Sequence, residues 1–473
     1  MSEDANQPRT IKDALLEIVN TFKAIIMAPK VLYGINIPYL LEGLVYFGVL
    51  TVLAKFLHDD VGLTDPQAGY TLGLLTGGIT FAMFFLGGVS DKIGVRKALG
   101  IAFTIMIGGR ALLALSGTIY DGGGMWSPMF MMVCAALLCI VVAYGLYQPA
   151  AYAAIKKYTN KKTAAMGYAM IYALMNLGAF FSGLISPPVR RNFGFSSIFW
   201  IYVALTVIAL LVTLTLLTKK NERKAMEENA EKGMEGKADT EKAEGEYEKE
   251  KVVFTKRLKN YFKEHPFRDK KFVFFIFVLI PVQTLFAHNW LTIPLYIDRA
   301  FAGTTVGANF EFFSNLNPII IFFLAPLVAV LTARSNTYKM MIIGTFVMAA
   351  PTFLLVIGPN PALLLSFIVL MSIGEAMWQP RFLQWVAEIA PEGKTGAYMG
   401  IAQLPWFMTK FITASYSGWF LQRYCPADGT MNTQTLWLIY ALIAMITPVV
   451  LVVAKGWIGA SVQGSDMSSK KTA

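Results

Sequence analysis

Long apolar runs recur along this chain, and they constrain it more than any other feature. Val203–Leu217, Phe272–Val282 and Pro318–Leu331 are three of them. With its flanks, each reaches the roughly 20 residues that a helix needs to cross the hydrocarbon layer of a membrane. A soluble core would interrupt such runs with polar faces. Of the 473 residues, 55% are hydrophobic and only 15% charged, whereas soluble domains carry about 25% charged residues. The chain is therefore too poor in charge to cover a water-facing surface.

Candidate spans fall at 31–57, 66–88, 95–117, 127–155, 163–188 and 195–218, then at 270–297, 308–333, 338–357, 361–390, 395–421 and 434–456. This predicts an all-α membrane protein with twelve transmembrane helices in two six-helix halves, 31–218 and 270–456. Ahead of them, Leu15, Ile18, Val19, Phe22 and Ile25 form one stripe. That stripe predicts an amphipathic surface helix within residues 1–30. Between the halves, 219–269 holds a solvated linker, Lys219–Lys251, and a possible second surface helix over Phe254–Phe262. Residues 457–473 form a tail.

The net charge of +11 reflects loop placement rather than nucleic acid, because no basic patch with interleaved aromatics stands on a water-facing element. One set of loops holds Lys92, Arg96 and Lys97, then Lys156, Lys157, Lys161 and Lys162, the linker, Arg334 and Lys339. The other set holds Asp59, Asp60, Asp65 and Asp121, with Arg190 and Arg191 as exceptions. The positive-inside rule puts both termini and the linker in the cytoplasm, with the plasma (inner) membrane as the expected location. Cys134, Cys139 and Cys425 make neither a disulfide framework nor a metal site. The polar, acidic N-terminus does not read as a cleavable signal. No nucleotide loop, nucleophile–base arrangement or metal cluster is visible, so no enzyme and no cofactor is expected.

The halves repeat. Tyr147-Gln148-Pro149, Ala154-Ile155, Lys162-Thr163 and Met166-Gly167 recur as Trp378-Gln379-Pro380, Glu388-Ile389, Lys394-Thr395 and Met399-Gly400. Matches in the same ordinal helices point to parallel duplication around a central cavity.

The loop after the second span contains Gly87, Asp91, Lys92, Gly94, Arg96 and Lys97. It resembles the signature of the major facilitator superfamily. Gly87 would let two helices approach, and Asp91 would latch one face of a transporter; an ordinary basic turn is the plain alternative. Within that superfamily, four features resemble the proton-dependent oligopeptide transporter family. These are Tyr172-Ala173-Leu174-Met175-Asn176-Leu177-Gly178, Asn317-Pro318 with Pro326, Gly374-Glu375 with Pro380, and Glu42 with Tyr46, Phe47 and Gly48. The resemblance implies proton symport of di- and tripeptides by alternating access. It also implies substrate contacts at Tyr172, Asn176, Asn317 and Glu375. The departures are as informative. The first-helix motif reads Tyr39, Glu42 and Gly43; a further family arginine falls at Leu50, and the fourth-helix lysine at Gln148. One acid and three cations are therefore missing together.

Charges inside spans are independent clues, since each costs about 2.5–3.5 kcal/mol at mid-membrane. Glu42, Glu375 and Lys410 lie well inside theirs. Tyr39, Glu42 and Tyr46 share one helical face; Glu375, Trp378, Gln379 and Phe382 another; Gln403, Trp406 and Lys410 a third. Glu375 is expected to hold an ammonium group and Lys410 an anionic one, with Asn317 and Trp406 between; a purely structural Glu375–Lys410 pair is the rival. Proton-coupling candidates are Glu42, Glu375 and His288, although a histidine near Trp and Tyr is more often a packed residue. Arg110 sits nearer a helix end, where it could simply snorkel. Arg381 is in line to pair with Glu388. The expected partners are a small solute, protons and membrane lipid. The rival functions are a transporter of another amine, amino acid or drug-like solute, and a non-transporting receptor on the same fold.

Overall fold

The computed structural model describes residues 30–159, 164–234, 266–332, 335–389, 398, 401, 402 and 404–457. The two expected surface helices, the linker beyond Met234 and the tail from 458 lie outside the described residues. Helices account for the regular structure, with no strand among the described residues. The principal ones are α1 (Lys30–Asp59), α2 (Asp65–Leu86), α3 (Val95–Ile119), α4 (Pro128–Tyr158) and α5 (Ala164–Leu216). After a short helix, Lys219–Met234, come α6 (Lys270–Val278), α7 (Ile280–Leu291), α8 (Leu316–Leu331), α9 (Thr337–Ala349), α10 (Pro361–Ile389), α11 (Leu404–Tyr424) and α12 (Thr433–Val453).

Local chemistry sets the ends. Ser127 Oγ accepts from Phe130 N at 3.1 Å, Asn336 from Lys339 N at 3.0 Å and Asn432 from Thr435 N at 3.1 Å. Each satisfies a donor that a helix N-terminus leaves free. The stretch α5 holds the fifth and sixth predicted spans as two helices that meet at Gly194, whose φ of +78° and ψ of 178° lie outside the helical region. The seventh span breaks instead. Pro281 has no N–H to give the preceding turn, so α6 stops and α7 restarts. The hydroxyl of Thr447 on α12 bridges the break, accepting from Val282 N at 3.1 Å and donating to Val278 O at 2.7 Å. Backbone groups freed inside a membrane need such a partner.

Nine helical stretches among the described residues are long and apolar enough to cross a membrane by themselves. Met170–Leu216 counts once in that number, although Gly194 divides it into two helices. The 16 residues of α8 are short for a crossing, and α11 carries Lys410 among several hydroxyls.

α1 packs on α5, α3 on α4 and α9 on α10, while α2 meets α11 across the divide between the N-terminal and C-terminal helices. One end of the bundle holds the 87–94 turn and Lys219–Met234, where Lys157 Nζ meets Glu222 at 3.2 Å. The far end holds the α1–α2 and α11–α12 connections.

Candidate functional site

Glu42 and Arg110 are each 1% exposed and face each other across α1 and α3. Arg110 donates from Nη1 to Glu42 Oε2 at 2.9 Å and from Nη2 to Oε1, a bidentate pair. Its Nη1 also reaches Thr206 Oγ1 at 2.5 Å, and Tyr144 donates to Glu42 Oε1. Arg110 therefore turns inward rather than snorkelling, because a buried carboxylate waits for it. Tyr39 is buried and stacks on Tyr147 at 5.8 Å. Gln148 is partly exposed on α4.

Glu375 is 3% exposed and meets a different environment. Asn317 Nδ2 on α8 donates to its Oε2 at 2.9 Å and reaches Ser372 Oγ at 2.9 Å. Gly374 lets α10 press on α9, since an added Cβ would lie 2.2 Å from Met348 N. Lys410 does not pair with Glu375; it makes no ion pair or hydrogen bond among the described residues. The structural pair that the two charges allowed is thus absent. Tyr172, half exposed on α5, lies within electrostatic reach of Glu375. Asn176 donates to Tyr172 O at 2.9 Å, and Trp406 packs on Phe286 at 4.7 Å.

Between the N- and C-terminal helices lies a cavity lined by Phe47, Leu50, Thr51, Phe286, Asn289, Trp290, Ser314, Asn315, Asn317 and Pro318. Ser314 Oγ and Trp290 Nε1 are buried and lack a hydrogen-bond partner among the described residues. Buried donors without a partner are rare in folded proteins. Sequence reading missed Thr51, Asn289, Trp290 and Asn315. The signal was present: Asn315 and Asn317 bring two amides to the start of an apolar run. Asn315 Nδ2 donates to Thr51 Oγ1 at 3.0 Å, crossing between the helix groups.

His288 is 1% exposed, stacks on Tyr440 at 3.9 Å and shares a 2.7 Å hydrogen bond with Thr292. That is the packed alternative. Arg381 donates to the carbonyl and, at 3.1 Å, to the hydroxyl of Thr332; the side chains of its expected partner Glu388 and of Asp91 lie outside those described, as does Gln403. In the gating motif, Gly94 has φ +85°, a conformation that favours glycine. Arg96 donates to Leu214 O at 3.0 Å, and Lys92 and Lys97 are exposed. Gly87 does not mediate a tight crossing, because its missing Cβ would sit 3.7 Å from Pro149, an ordinary contact.

Ion pairs between the helix groups gather at the far end. Arg299 holds Asp65 through two 2.7 Å contacts, Lys55 holds Asp298 at 2.5 Å, and Arg190 pairs with Glu311. α2 and α11 press together beside them. A central polar cavity closed at one end by cross-bundle pairs is the geometry of alternating access. The family model of the Major Facilitator Superfamily matches residues 37–403. The chain belongs to the Major Facilitator Superfamily.

Family and fold are those of transporters, and the chain is an integral membrane protein. This superfamily member is 27% identical over 214 residues to dipeptide and tripeptide permease A of Escherichia coli (strain K12), covering 44% of the chain and 38% of the permease. It is 29% identical over 169 residues to the probable nitrate transporter NarT of Staphylococcus carnosus (strain TM300), covering 36% of the chain and 40% of NarT. The chain thus spans about two fifths of the length of these relatives. The crystal structure of the peptide transporter POT in complex with sulfate aligns with a TM-score of 0.68 at 16% identity, over 91% of this chain and 95% of that one. Among the described residues no group of three or more His, Cys, Asp or Glu is placed to hold a metal.

Proposed function

We propose that the protein is a secondary transporter of small amine-bearing solutes, di- and tripeptides first among them, in the plasma (inner) membrane. Twelve spans in two halves, 31–218 and 270–456, rock about the central cavity with both termini cytoplasmic, and the proton gradient supplies the drive. The observation that carries this reading is Glu375, buried beside Asn317 and Ser372 with no cation paired to it among the described residues. A carboxylate so placed is costly unless it serves a cationic ligand. Lys410 and Trp406 on α11, with Tyr39, Tyr172, Asn176 and Gln148 across the divide, complete the substrate-facing set, and the 87–97 turn gates the linker end. The similarity to a dipeptide and tripeptide permease supports peptides as the substrate class.

Leu50 favours a second reading, a non-peptide amine. It lines the cavity at the place where the resembled family carries an arginine, so a substrate carboxylate finds no partner there. A thermal-shift panel of the purified protein against alanylalanine, alanine, tyramine and sodium nitrate tests both readings, because a bound solute stabilises the fold. Stabilisation by alanylalanine and alanine supports a zwitterion site; stabilisation by tyramine alone supports the second reading. A response to nitrate alone would refute an amine site.

A further inference from the structure

Arg110 is held by Glu42, Arg299 by Asp65, Lys55 by Asp298 and Arg190 by Glu311. Lys410 on α11 is not matched in this way; it makes no ion pair among the described residues. Its direction follows from its neighbours on the helix. Trp406 and Thr409 turn to α7, where the first packs on Phe286 at 4.7 Å and the second donates to Gln283 Oε1 at 3.2 Å. Phe411 and Ala414 turn to α2. A Cβ added to Gly77 would lie 2.2 Å from the Phe411 ring, and one added to Gly73 would lie 2.5 Å from the Ala414 Cβ. With about 100° between successive residues, Lys410 falls between these two sides. It heads the stripe Lys410, Ala414, Ser417 and Leu421, whose last three members are at most 3% exposed. Phe286 lines the central cavity, so the stripe begins beside it. The other end of the stripe reaches the far-end pairs. A Cβ on Gly418 would lie 2.3 Å from Asp65 O, and Asp65 is the residue that Arg299 holds. About two turns of helix therefore join Lys410 to the contact that closes the far end.

We infer that Lys410 is an anion subsite whose occupation closes the far end: a carboxylate beside Lys410 favours the conformation in which α11 lies against α2. This rests on the transporter reading above and deepens it, by assigning closure to the anionic group rather than the amine. Parting α2 from α11 would admit outside water to the stripe and hydrate the ammonium. Closing the seam takes that water away, so an uncompensated ammonium opposes closure. A carboxylate removes the opposition, because opposite charges attract more strongly as water leaves. A ligand shifts a conformational equilibrium only by its differential affinity for the two states, and here the Lys410 contact supplies the difference. Loss of the anion on the other side of the membrane restores the opposition and moves the balance back toward an open far end, so the cycle can turn over. Lys410 also gives the solute carboxylate a partner on α11, in place of the cations that the N-terminal helices lack at Gly43, Leu50 and Gln148.

Distances between two spin labels in the full-length protein, held in lipid nanodiscs, test this. The labels sit on cysteines replacing Asp121 and Asp428, with the three native cysteines changed to serine. Both positions are exposed, and they lie in far-end connections of the two helix groups. Alanylalanine should raise the population of the shorter distance several-fold. Alanylalaninamide, which keeps the amine and lacks the carboxylate, should not. Sodium acetate separates the sources of the anion: closure by acetate as well assigns the subsite to any carboxylate, and closure by alanylalanine alone assigns it to one carried by the solute. Lys410→Met should shift the ligand-free protein toward the shorter distance and abolish the response, whereas Lys410→Arg should keep it. Should Lys410→Met fail to fold, the dipeptide and its amide still decide the matter in the parent and in Lys410→Arg. Equal closure by alanylalanine and its amide, or a response that survives Lys410→Met, overturns the inference. Alanylalanine that stabilises the protein to heat without moving the distances overturns it too, and leaves the transporter in place. Neither thermal stabilisation nor movement with any of the three probes would remove both.

Discussion

Two glutamates buried to nearly the same depth, Glu42 at 1% and Glu375 at 3% exposure, meet opposite surroundings. Both were legible in the sequence as costly charges inside spans. The pairing of Glu42 was not, because Arg110 lies 68 residues away and its own position reads equally as a snorkelling one. A buried pair broken on one side costs about 3–5 kcal/mol. Arg110→Met should therefore lower stability by about that much, and adding Glu42→Gln should restore most of it; thermal unfolding in detergent measures both. An Arg110→Met variant as stable as the parent would show that the pair carries no structural weight. Asp60, just past α1, behaves differently. Burial, and then the adjacent Asp59 charge, push its carboxyl up to about 6 from an ordinary 3.8. The fold then binds this proton more tightly than the unfolded chain does, so its carboxylate opposes folding as pH rises through 6. Asp60→Asn should raise the melting temperature relative to the parent at pH 7.5 and leave it unchanged at pH 4. An equal gain at both values would exclude titration as the cause.

Among the elements, the long apolar helices were readable from run length alone, and their breaks less so. Pro281 marks the α6–α7 break in the sequence, but nothing local reveals that Thr447 on α12 makes it tolerable. Pro187 and Pro188 read as the end of a span, yet α5 continues past them to Gly194. The seam between α2 and α11 was likewise invisible, because it depends on which helices meet. A Cβ on Gly73 would lie 2.5 Å from that of Ala414. Gly73→Val should hold α2 and α11 apart at a cost of about 1–3 kcal/mol. A cysteine replacing Thr51, with the three native cysteines changed to serine, should then label faster with a maleimide from the far side. Unchanged labelling would mean that the seam does not gate that end. At the opposite end, Asp91→Asn should lower uptake in proteoliposomes several-fold without reducing the amount of folded protein. Full activity would leave the 87–97 turn as a connection only.

Across the whole molecule, the repeat of Tyr147-Gln148-Pro149 as Trp378-Gln379-Pro380 is the ground for expecting a duplicated architecture. The closed end was not legible in the sequence, since its pairs join Asp65 to Arg299 and Lys55 to Asp298 across the two helix groups. Loop charge orients the bundle independently of those pairs. The far end carries acids and the linker end carries the excess of lysine, which the positive-inside rule places in the cytoplasm. The two arguments can be tested in one experiment. Cysteines introduced at Asp121 and Asp428 should label from outside the cell, and ones at Lys161 and Lys242 should not. In the same background, Asp65→Asn removes the bidentate partner of Arg299 and leaves that cation 7% exposed against the Cys425 carbonyl, so the closed far end loses stability relative to an open one. Labelling of a cysteine at Thr51 from outside should then rise above that of the parent. A rise in labelling from the cytoplasmic side instead would reverse the orientation, and no rise from either side would show that the Asp65–Arg299 pair braces the fold without latching it.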